Sequence, residues 1–434
     1  MDRYLKFLFL FFLTFSVQAQ ELLTVEEAVK IALENNYQIR ISENDLEADI
    51  AAVSRGNAGM LPTIGATANS NNSIQNSSQT RADGNLVELD DARNNSLNYG
   101  VVMDWTIFDG FSMFARYDQL KALEELGEAE LQMTILNQVS EVMITYYDLV
   151  QQQQQLSALD STLVISQQRR DLAQNRFTIG KASKLEVLNA EVDLNTDITT
   201  LLRQKEVFAS TKIRLNELMA RDINNDFRVV QEIPVEENLQ LPELVELAMD
   251  RNPELQAQII QKNIARLQLK QVKAARLPSL VANTGYQFND SESSLGFTTS
   301  ATSKGWNYGL SARMNIFDGF NQNQRIKIAR IQLENSEIEI EQQEQILMAN
   351  LATAYQNYLA NIALVELEKN NEAIAQENLE ITIDKFRIGT IPPIEFRTAQ
   401  LNYTNARVRY SNAKFQAKLS EITLKEFAGS LIIN

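Results

Sequence analysis

The sequence carries one pattern twice, and any fold it adopts has to accommodate both copies. Residues Thr24–Asn36, TVEEAVKIALENN, match Gln240–Asn252, QLPELVELAMDRN, and Leu61 with Pro62 matches Leu277 with Pro278 at the same offset of 216. Further along, Asn98, Tyr99 and Gly100 and the segment IFDGF at Ile107–Phe111 recur as Asn307, Tyr308 and Gly309 and as Ile316–Phe320. Here the offset is 209, and it holds to Phe177 and Gly180 against Phe386 and Gly389. The difference falls between Pro62 and Asn98, where the Asn- and Ser-rich stretch from Asn69 to Ser96 reads as a loop by composition. The chain therefore divides into two structural repeats, residues 20–225 and 226–434. Each is expected to run helix, strand, loop, strand and then two long helices.

The strands are expected at 63–70 and 97–108 in the first repeat, and at 279–289 and 306–317 in the second. Leu97, Tyr99, Val101, Met103, Trp105 and Ile107 alternate with Asn98, Gly100, Val102, Asp104 and Thr106. Trp306, Tyr308, Leu310, Ala312, Met314 and Ile316 alternate in the same way with Asn307, Gly309, Ser311, Arg313 and Asn315. In the partner strands Ile64, Ala66 and Ala68, and Leu280, Ala282, Tyr286 and Phe288, supply the apolar side. Period-2 alternation puts one apolar and one polar face on a sheet. A sheet half-buried over an ordinary core gives that pattern, and so does a membrane wall with an aromatic girdle at Tyr99, Trp105, Tyr286, Phe288, Trp306 and Tyr308. The membrane reading has a physical corollary. Membrane barrels begin at about 8 strands, and open edges in hydrocarbon leave backbone groups unpaired, so four strands per chain require several chains.

The helical segments are long. Ser112 to about Asn175 contains no Pro and one Gly, Gly127, enough for a rod of roughly 95 Å. The second repeat matches it from Asn321 to Lys385, and return helices are expected over Leu185–Met219 and Ile394–Phe427. Apolar residues recur at coiled-coil spacing, as in Leu185, Leu188 and Val192, or Leu351, Tyr355, Tyr358 and Ile362. The turns between rods are the tips, 176–186 and 385–395. Gly180 and Gly389 suit left-handed caps of the incoming helices, Ser183 with Glu186 reads as a capping box, and Pro392 or Pro393 suits a first turn. A second capping box is read at Thr24 and Glu27. Glu186 and Glu395 occupy equivalent places. Each can favour the positive end of its helix, or contribute charge at a pore constriction.

Export is read from the start of the chain. Arg3 and Lys6, an apolar run from Phe7 to Phe15 and small residues at Val17–Ala19 have the order of a secretory signal over residues 1–19. No Cys follows to carry a lipid, and no later run is apolar enough for a membrane helix. The net charge of −16 makes nucleic acid a poor partner. In an open pore the same charge predicts cation preference, provided acidic side chains line it. With neither Cys nor His, thiol nucleophiles, Cys/His zinc sites and His proton relays are excluded. The acidic residues lie spread along helix faces without a cleft signature, so no catalytic residue, cofactor or metal is expected.

Together the paired openings, the LP strand starts, the IFDGF junctions and the RFTIG and KFRIG tips resemble the TolC-like outer-membrane efflux proteins. The resemblance covers nearly the whole chain after the signal. It implies a mostly α protein with β, in which duplicated helical hairpins form an α-barrel and four transmembrane strands per chain join a twelve-stranded barrel shared by a homotrimer. It implies a place in the outer membrane of a Gram-negative bacterium, reaching into the periplasm, as the passive exit duct of a tripartite efflux or type I secretion system. The implied partners are a periplasmic adaptor, an inner-membrane transporter that supplies the free energy, and outer-membrane lipid. Arg176, Phe177, Ile179, Gly180, Phe386, Arg387, Ile388 and Gly389 would be the docking tips. Glu395 falls where the family has one acidic ring, but Thr398 stands where a second would be, and Ile391 replaces the Arg of the family's latch. Residues Arg221 to Gln240, with the end of the chain, would form a belt around the tube. The contrasting reading is a periplasmic coiled-coil interaction protein, such as an adaptor, with no membrane barrel.

Overall fold

The computed structural model describes residues 21–294 and 298–431, so the expected export signal lies outside the described residues. The first half runs β1 (Glu21–Leu23), α1 (Val25–Asn35), α2 (Tyr37–Ala52), β2 (Thr63–Thr80), β3 (Leu86–Asp109), α3 (Ser112–Thr178) and α4 (Lys184–Leu218). The second half runs β4 (Phe227–Val229), α5 (Leu241–Arg251), α6 (Pro253–Ala274), β5 (Ser279–Ser293), β6 (Ser300–Arg313), α7 (Asn321–Ile388) and α8 (Pro393–Phe427). The order of elements is the same in both.

Two helices precede the strands in each half, where the sequence suggested one. Asn36 ends α1, and its Oδ1 accepts the backbone N–H groups of Gln38 and Ile39, which caps α2. In the second half Pro253 forces the break, because the residue before a proline is pushed out of helical geometry. Both asparagines then do the same second job. Asn36 Nδ2 donates to the carbonyl of Leu218 at 2.8 Å, and Asn252 Nδ2 donates to that of Phe427 at 3.0 Å, each satisfying the last carbonyl of a return helix.

Compactness divides the chain differently from the repeat. One unit comprises residues 1–41, 134–252 and 347–434, and the other 42–133 and 253–346. The core of the first gathers Leu23, Val29 and Ala32 around Val142, Tyr146, Leu149, Leu215, Phe227 and Ile422. β1 and β4 pair there in parallel. Tyr146 closes over them, donating to Leu23 O at 2.9 Å and accepting from the Val230 N–H at 3.2 Å; burial raises its pKa. The segment expected to form a belt is tied to the long helices, with Tyr355 donating to Leu239 O and Tyr358 to Glu236 O.

The second unit holds a four-stranded antiparallel sheet in the order β2-β3-β5-β6. The expected loop at Asn69–Ser96 is overturned: β2 continues to Thr80, and β3 begins at Leu86 after a turn with Gly84 at φ +86°. Composition misled because a ribbon wet on both faces needs no apolar alternation, while its backbone ladder is as satisfied as any other. β5 likewise outruns its expected end. β6 spans Ser300–Arg313, so Met314 to Phe317 fall outside the strand although the alternation continues through them. The ladder stops where β5 begins, at the pair Ser279 and Arg313. Ala122 and Leu126 of α3 pack on Ile264 and Leu267 of α6. Gly127 has its reason here, since a Cβ would lie 2.7 Å from Asp49 Oδ2.

Candidate functional site

Residues paired across an antiparallel ladder share a face. Tyr99 pairs with Phe288, Val101 with Tyr286 and Met103 with Thr284; Tyr286 pairs in turn with Trp306, and Thr284 with Tyr308. All six girdle residues expected from the sequence therefore stand on one side of the sheet. Tyr99 stacks on Phe288 at 4.9 Å, and Tyr286 meets Phe288 and Trp306 edge-on at 5.2 and 5.4 Å. This face is uncovered: Tyr308 is 88% exposed and Trp306 and Leu310 each 69%. From the level of Trp105 to that of Tyr99 its one charge among the described residues is Lys304, opposite Phe288 at the rim.

The other face carries Asn98, Gly100, Asp104, Asn283, Gly285, Gln287, Asn307 and Gly309. A Cβ on Gly100 would lie 2.3 Å from Tyr286 O, and one on Gly285 2.6 Å from Val101 O. At both positions the neighbouring strand's backbone leaves no room for a side chain. The edges of the sheet, β2 and β6, each have one neighbour.

Each strand-to-helix junction is made by its IFDGF segment. Gly110 and Phe111 have φ of 71° and 69°, Gly319 and Phe320 of 72° and 64°. Asp109 then accepts from the N–H of Met113, and Asp318 from that of Gln322, which caps α3 and α7.

At the tips, Gly180 and Gly389 adopt φ of 74° and 81°. Lys181 N–H bonds Arg176 O and Gly180 N–H bonds Phe177 O; Thr390 and Gly389 repeat this on Lys385 and Phe386. These are paired Schellman closures, and each holds the isoleucine before its glycine out in solvent. Ile179 and Ile388 are 66% and 75% exposed, and Phe177 is partly so. Phe386 is enclosed: its ring stacks on Phe396 at 4.7 Å, and Arg176 lies over it while donating to its carbonyl at 2.7 Å. Arg387 is exposed, 3.7 Å from Asp384. Of the two candidate constriction residues, Glu395 is exposed in the first turn of α8. Glu186 is half-buried in the first turn of α4; its N–H bonds Ser183 Oγ, and its Oε1 is enclosed without a hydrogen-bond partner. The reciprocal half of the expected capping box is thus not made at Ser183, whereas both halves are made at Thr24 and Glu27.

The apolar positions of the helices divide between buried and exposed faces. Leu351 and Tyr358 are buried, but Leu185, Leu188 and Val192 are 65%, 46% and 64% exposed. The face that α4 buries is Val187, Ala190, Leu194 and Leu201.

A short way along the helices lies a cluster no sequence motif announced. Arg397 of α8 donates from Nη1 and Nη2 to the two oxygens of Asp197 on α4, each at 2.7 Å. Its Nε is 3.8 Å from Asp193, which pairs with Arg169 of α3 at 2.6 Å. Ser166 donates to Asp197, Gln400 donates to Ser166 and to Thr162 O, and the hydroxyls of Thr162 and Thr404 are 2.7 Å apart. Arg397 and Asp197 are buried, and two cations balance two anions.

The outer membrane efflux protein family matches the chain over residues 28–221 and 244–430. The chain belongs to that family. It is similar to outer membrane protein TolC of Escherichia coli, 21% identical over 433 residues that cover 95% of this chain and 83% of the relative. It is similar also to the proteases secretion protein PrtF of Dickeya chrysanthemi, 21% identical with 96% and 89% covered. Among solved structures, the CmeC outer membrane channel of Campylobacter jejuni shares the fold, with a TM-score of 0.76 at 17% identity over 94% of this chain and 85% of that one. As an outer membrane efflux protein the chain is an outer-membrane channel component. No helix among the described residues is long and apolar enough to cross a membrane.

Proposed function

We propose that three copies of this outer membrane efflux protein pool their sheets into one twelve-stranded barrel and their long helices into one tube, forming a passive exit duct for efflux or secretion. The observation that carries this is the sheet: one face apolar, aromatic and exposed, the other polar, with an unpaired edge on either side. Hydrocarbon tolerates the first face and not the edges, so neighbouring copies supply the missing pairing.

The helices support the same ring. Within the chain α8 lies along α3, through Thr404 on Thr162 and Ser411 on Gln151 O, and α4 lies beside α3. The free flanks are then α4 and α7. On α4, Leu185 and Val192 are exposed seven residues apart; on α7, Leu367, Ile374 and Ile381 are 55%, 66% and 50% exposed at the same interval. A seven-residue apolar stripe is a seam that wants a partner helix. Placing α4 of one copy on α7 of the next covers both stripes and closes a ring.

At the tips, Ile179 and Ile388 on rigid Schellman turns offer paired apolar contacts, suited to the helical hairpin of a periplasmic adaptor, which would link the duct to an inner-membrane transporter. Glu186 and Glu395 would bring carboxylates to the narrow end. Purification from outer membranes in mild detergent, followed by mass measurement and planar-bilayer recording, tests the reading. A conducting trimer is expected. A monomer absent from the outer membrane and electrically silent would overturn it in favour of a periplasmic interaction protein.

A further inference from the structure

In a chain with 56 acidic and 40 basic residues, one stretch runs against the overall charge. From Leu255 to Asn289 it holds five cations, Lys262, Arg266, Lys270, Lys273 and Arg276, and no Asp or Glu. The first four follow one another on α6 at intervals of four, four and three residues, which sets them on one side of the helix, and Arg276 lies just past its end. The duplication does not require this. The counterparts at the offset of 216 are Leu46, Ile50, Ser54, Asn57 and Met60, and α2 carries Glu43, Asp45, Glu47 and Asp49.

Two neighbouring helices fix the direction of the stripe. α6 meets α3 through Ile264 and Leu267, and α7 through Leu269 and Val272. At about 100° per residue these two directions stand roughly 130° apart across Gln268 and Ala275, and roughly 230° apart across the cations. A helix in the wall of a closed tube has its narrower angle toward the lumen and its wider one outward, so the stripe belongs to the outer surface. Lys262 is held by Glu337 at 3.1 Å, and Arg276 donates to Asn323 at 2.6 Å. Lys270 and Lys273 are exposed and have no hydrogen bond or ion pair among the described residues. The stripe meets the sheet where Ser279 pairs with Arg313, and just past that pair Ile316 and Phe317 are 95% and 72% exposed.

We infer that Lys270, Lys273 and Arg276 bind the headgroups of anionic phospholipids in the outer-membrane leaflet that faces the periplasm. The inference rests on the barrel and tube proposed above. Ile316 and Phe317 set the edge of the hydrocarbon at the end of the sheet, and from Arg276 to Lys270 the chain descends only about 9 Å, the depth of a headgroup layer. Long stems let these cations reach phosphates while their methylenes lie along the apolar boundary. A row of cations there concentrates lipids with net negative charge, and zwitterionic lipids gain far less from it.

The chain's 2 tryptophans, Trp105 and Trp306, stand on the apolar face and serve as reporters of lipid contact. Full-length protein is reconstituted in vesicles in which either phosphatidylglycerol or phosphatidylcholine is brominated in its acyl chains, against a background of the other lipid. The expected result is quenching that gives phosphatidylglycerol about a twofold advantage, weakening as salt is raised. Lys270→Gln with Lys273→Gln removes the advantage, and Lys270→Arg with Lys273→Arg keeps it. Arg203→Gln with Lys205→Gln, at exposed cations of α4, leaves it unchanged. Equal quenching by the two lipids in the parent, or an advantage that survives the Gln pair, would overturn the inference and leave the barrel standing. If quenching is equal and the parent instead sediments with purified peptidoglycan through the same two lysines, the stripe serves cell-wall carboxylates and the lipid assignment falls. Quenching by neither lipid would take the tryptophans out of the membrane, and the barrel reading with them.

Discussion

Arg397 and Asp197, 200 residues apart in sequence, form a two-pronged ion pair at 2.7 Å in the buried junction of α8 with α4. The pair binds the second half of the chain to the first. Arg397→Met would leave Asp197 and Asp193 with one cation between them, and stranding a buried charge costs about 3–5 kcal/mol. The double variant Arg397→Met with Asp197→Leu removes both charges and is expected to recover most of that loss. Denaturant unfolding of the single and double variants checks it; equal destabilisation by both would mean that the pair is not the source of the effect.

The two faces of the sheet make opposite demands on a charge. Tyr308 stands at the middle of the apolar band, paired with Thr284, while its neighbour Asn307 points to the polar side. Tyr308→Arg sets a guanidinium against hydrocarbon, at about 2–4 kcal/mol for a barrel strand near mid-membrane. Asn307→Arg meets no such penalty. The amount of each variant assembled in the outer membrane, against the parent, decides between them. Equal assembly of the two would remove the lipid-facing assignment.

What could be read beforehand was what neighbouring residues decide among themselves. The Thr24 and Glu27 box, the glycine closures at Gly180 and Gly389 and the length of the rods come from local backbone chemistry. That Tyr99, Trp105, Tyr286, Phe288, Trp306 and Tyr308 share one face was legible because apolar and polar residues alternate along their strands, and the ribbon beyond Asn69 was not, because Asn and Ser fill both faces of β2 there. Spacing picked out Leu185, Leu188 and Val192 as a seam, but within the chain α4 buries a second, smaller-residue stripe at Val187, Ala190 and Leu194 instead. Arg397 and Asp197 were invisible for another reason. Each looks like an ordinary charge on an exposed helix face, and only the packing of helices from opposite halves of the chain brings them together away from water. Asp109 and Asp318 could have been found, for an Asp before Gly-Phe at a helix start is a cap signal in its own right.

Glu426 supplies a test in pH. Its carboxyl on α8 is largely enclosed and accepts from Ser140 Oγ on α3 at 2.6 Å. Burial pushes its pKa above the ordinary value of 4.5, opposed by the Ser140 hydrogen bond. A carboxyl whose folded pKa is raised binds more protons folded than unfolded, so stability falls as pH rises from the unfolded value through the folded one. Glu426→Gln keeps an acceptor for Ser140 and abolishes that loss. The variant is expected to melt higher than the parent at neutral pH, with the difference vanishing as pH falls below the ordinary value. Thermal melts across that range measure it, and a variant that melts lower at neutral pH would show that the charged form is the one the fold favours.

The tips separate what holds the turn from what the turn presents. Phe396→Ala removes the ring stacked on Phe386 and leaves a cavity, which typically costs about 3–5 kcal/mol for a buried phenylalanine. Its expected effect is loss of tip structure, read as new protease cleavage between Phe386 and Phe396. Ile388→Asp changes a side chain 75% exposed, and such surface changes usually stay within about 0.5 kcal/mol. It is expected to leave assembly and melting alone but to abolish export in cells, because an apolar contact has become a charge. A photocrosslinking side chain then distinguishes presentation from packing. At position 388 it should join the protein to a periplasmic partner, and at position 386 it should mark only the chain itself. If position 388 captures nothing while export still fails, the isoleucine acts inside the duct rather than at its docking surface.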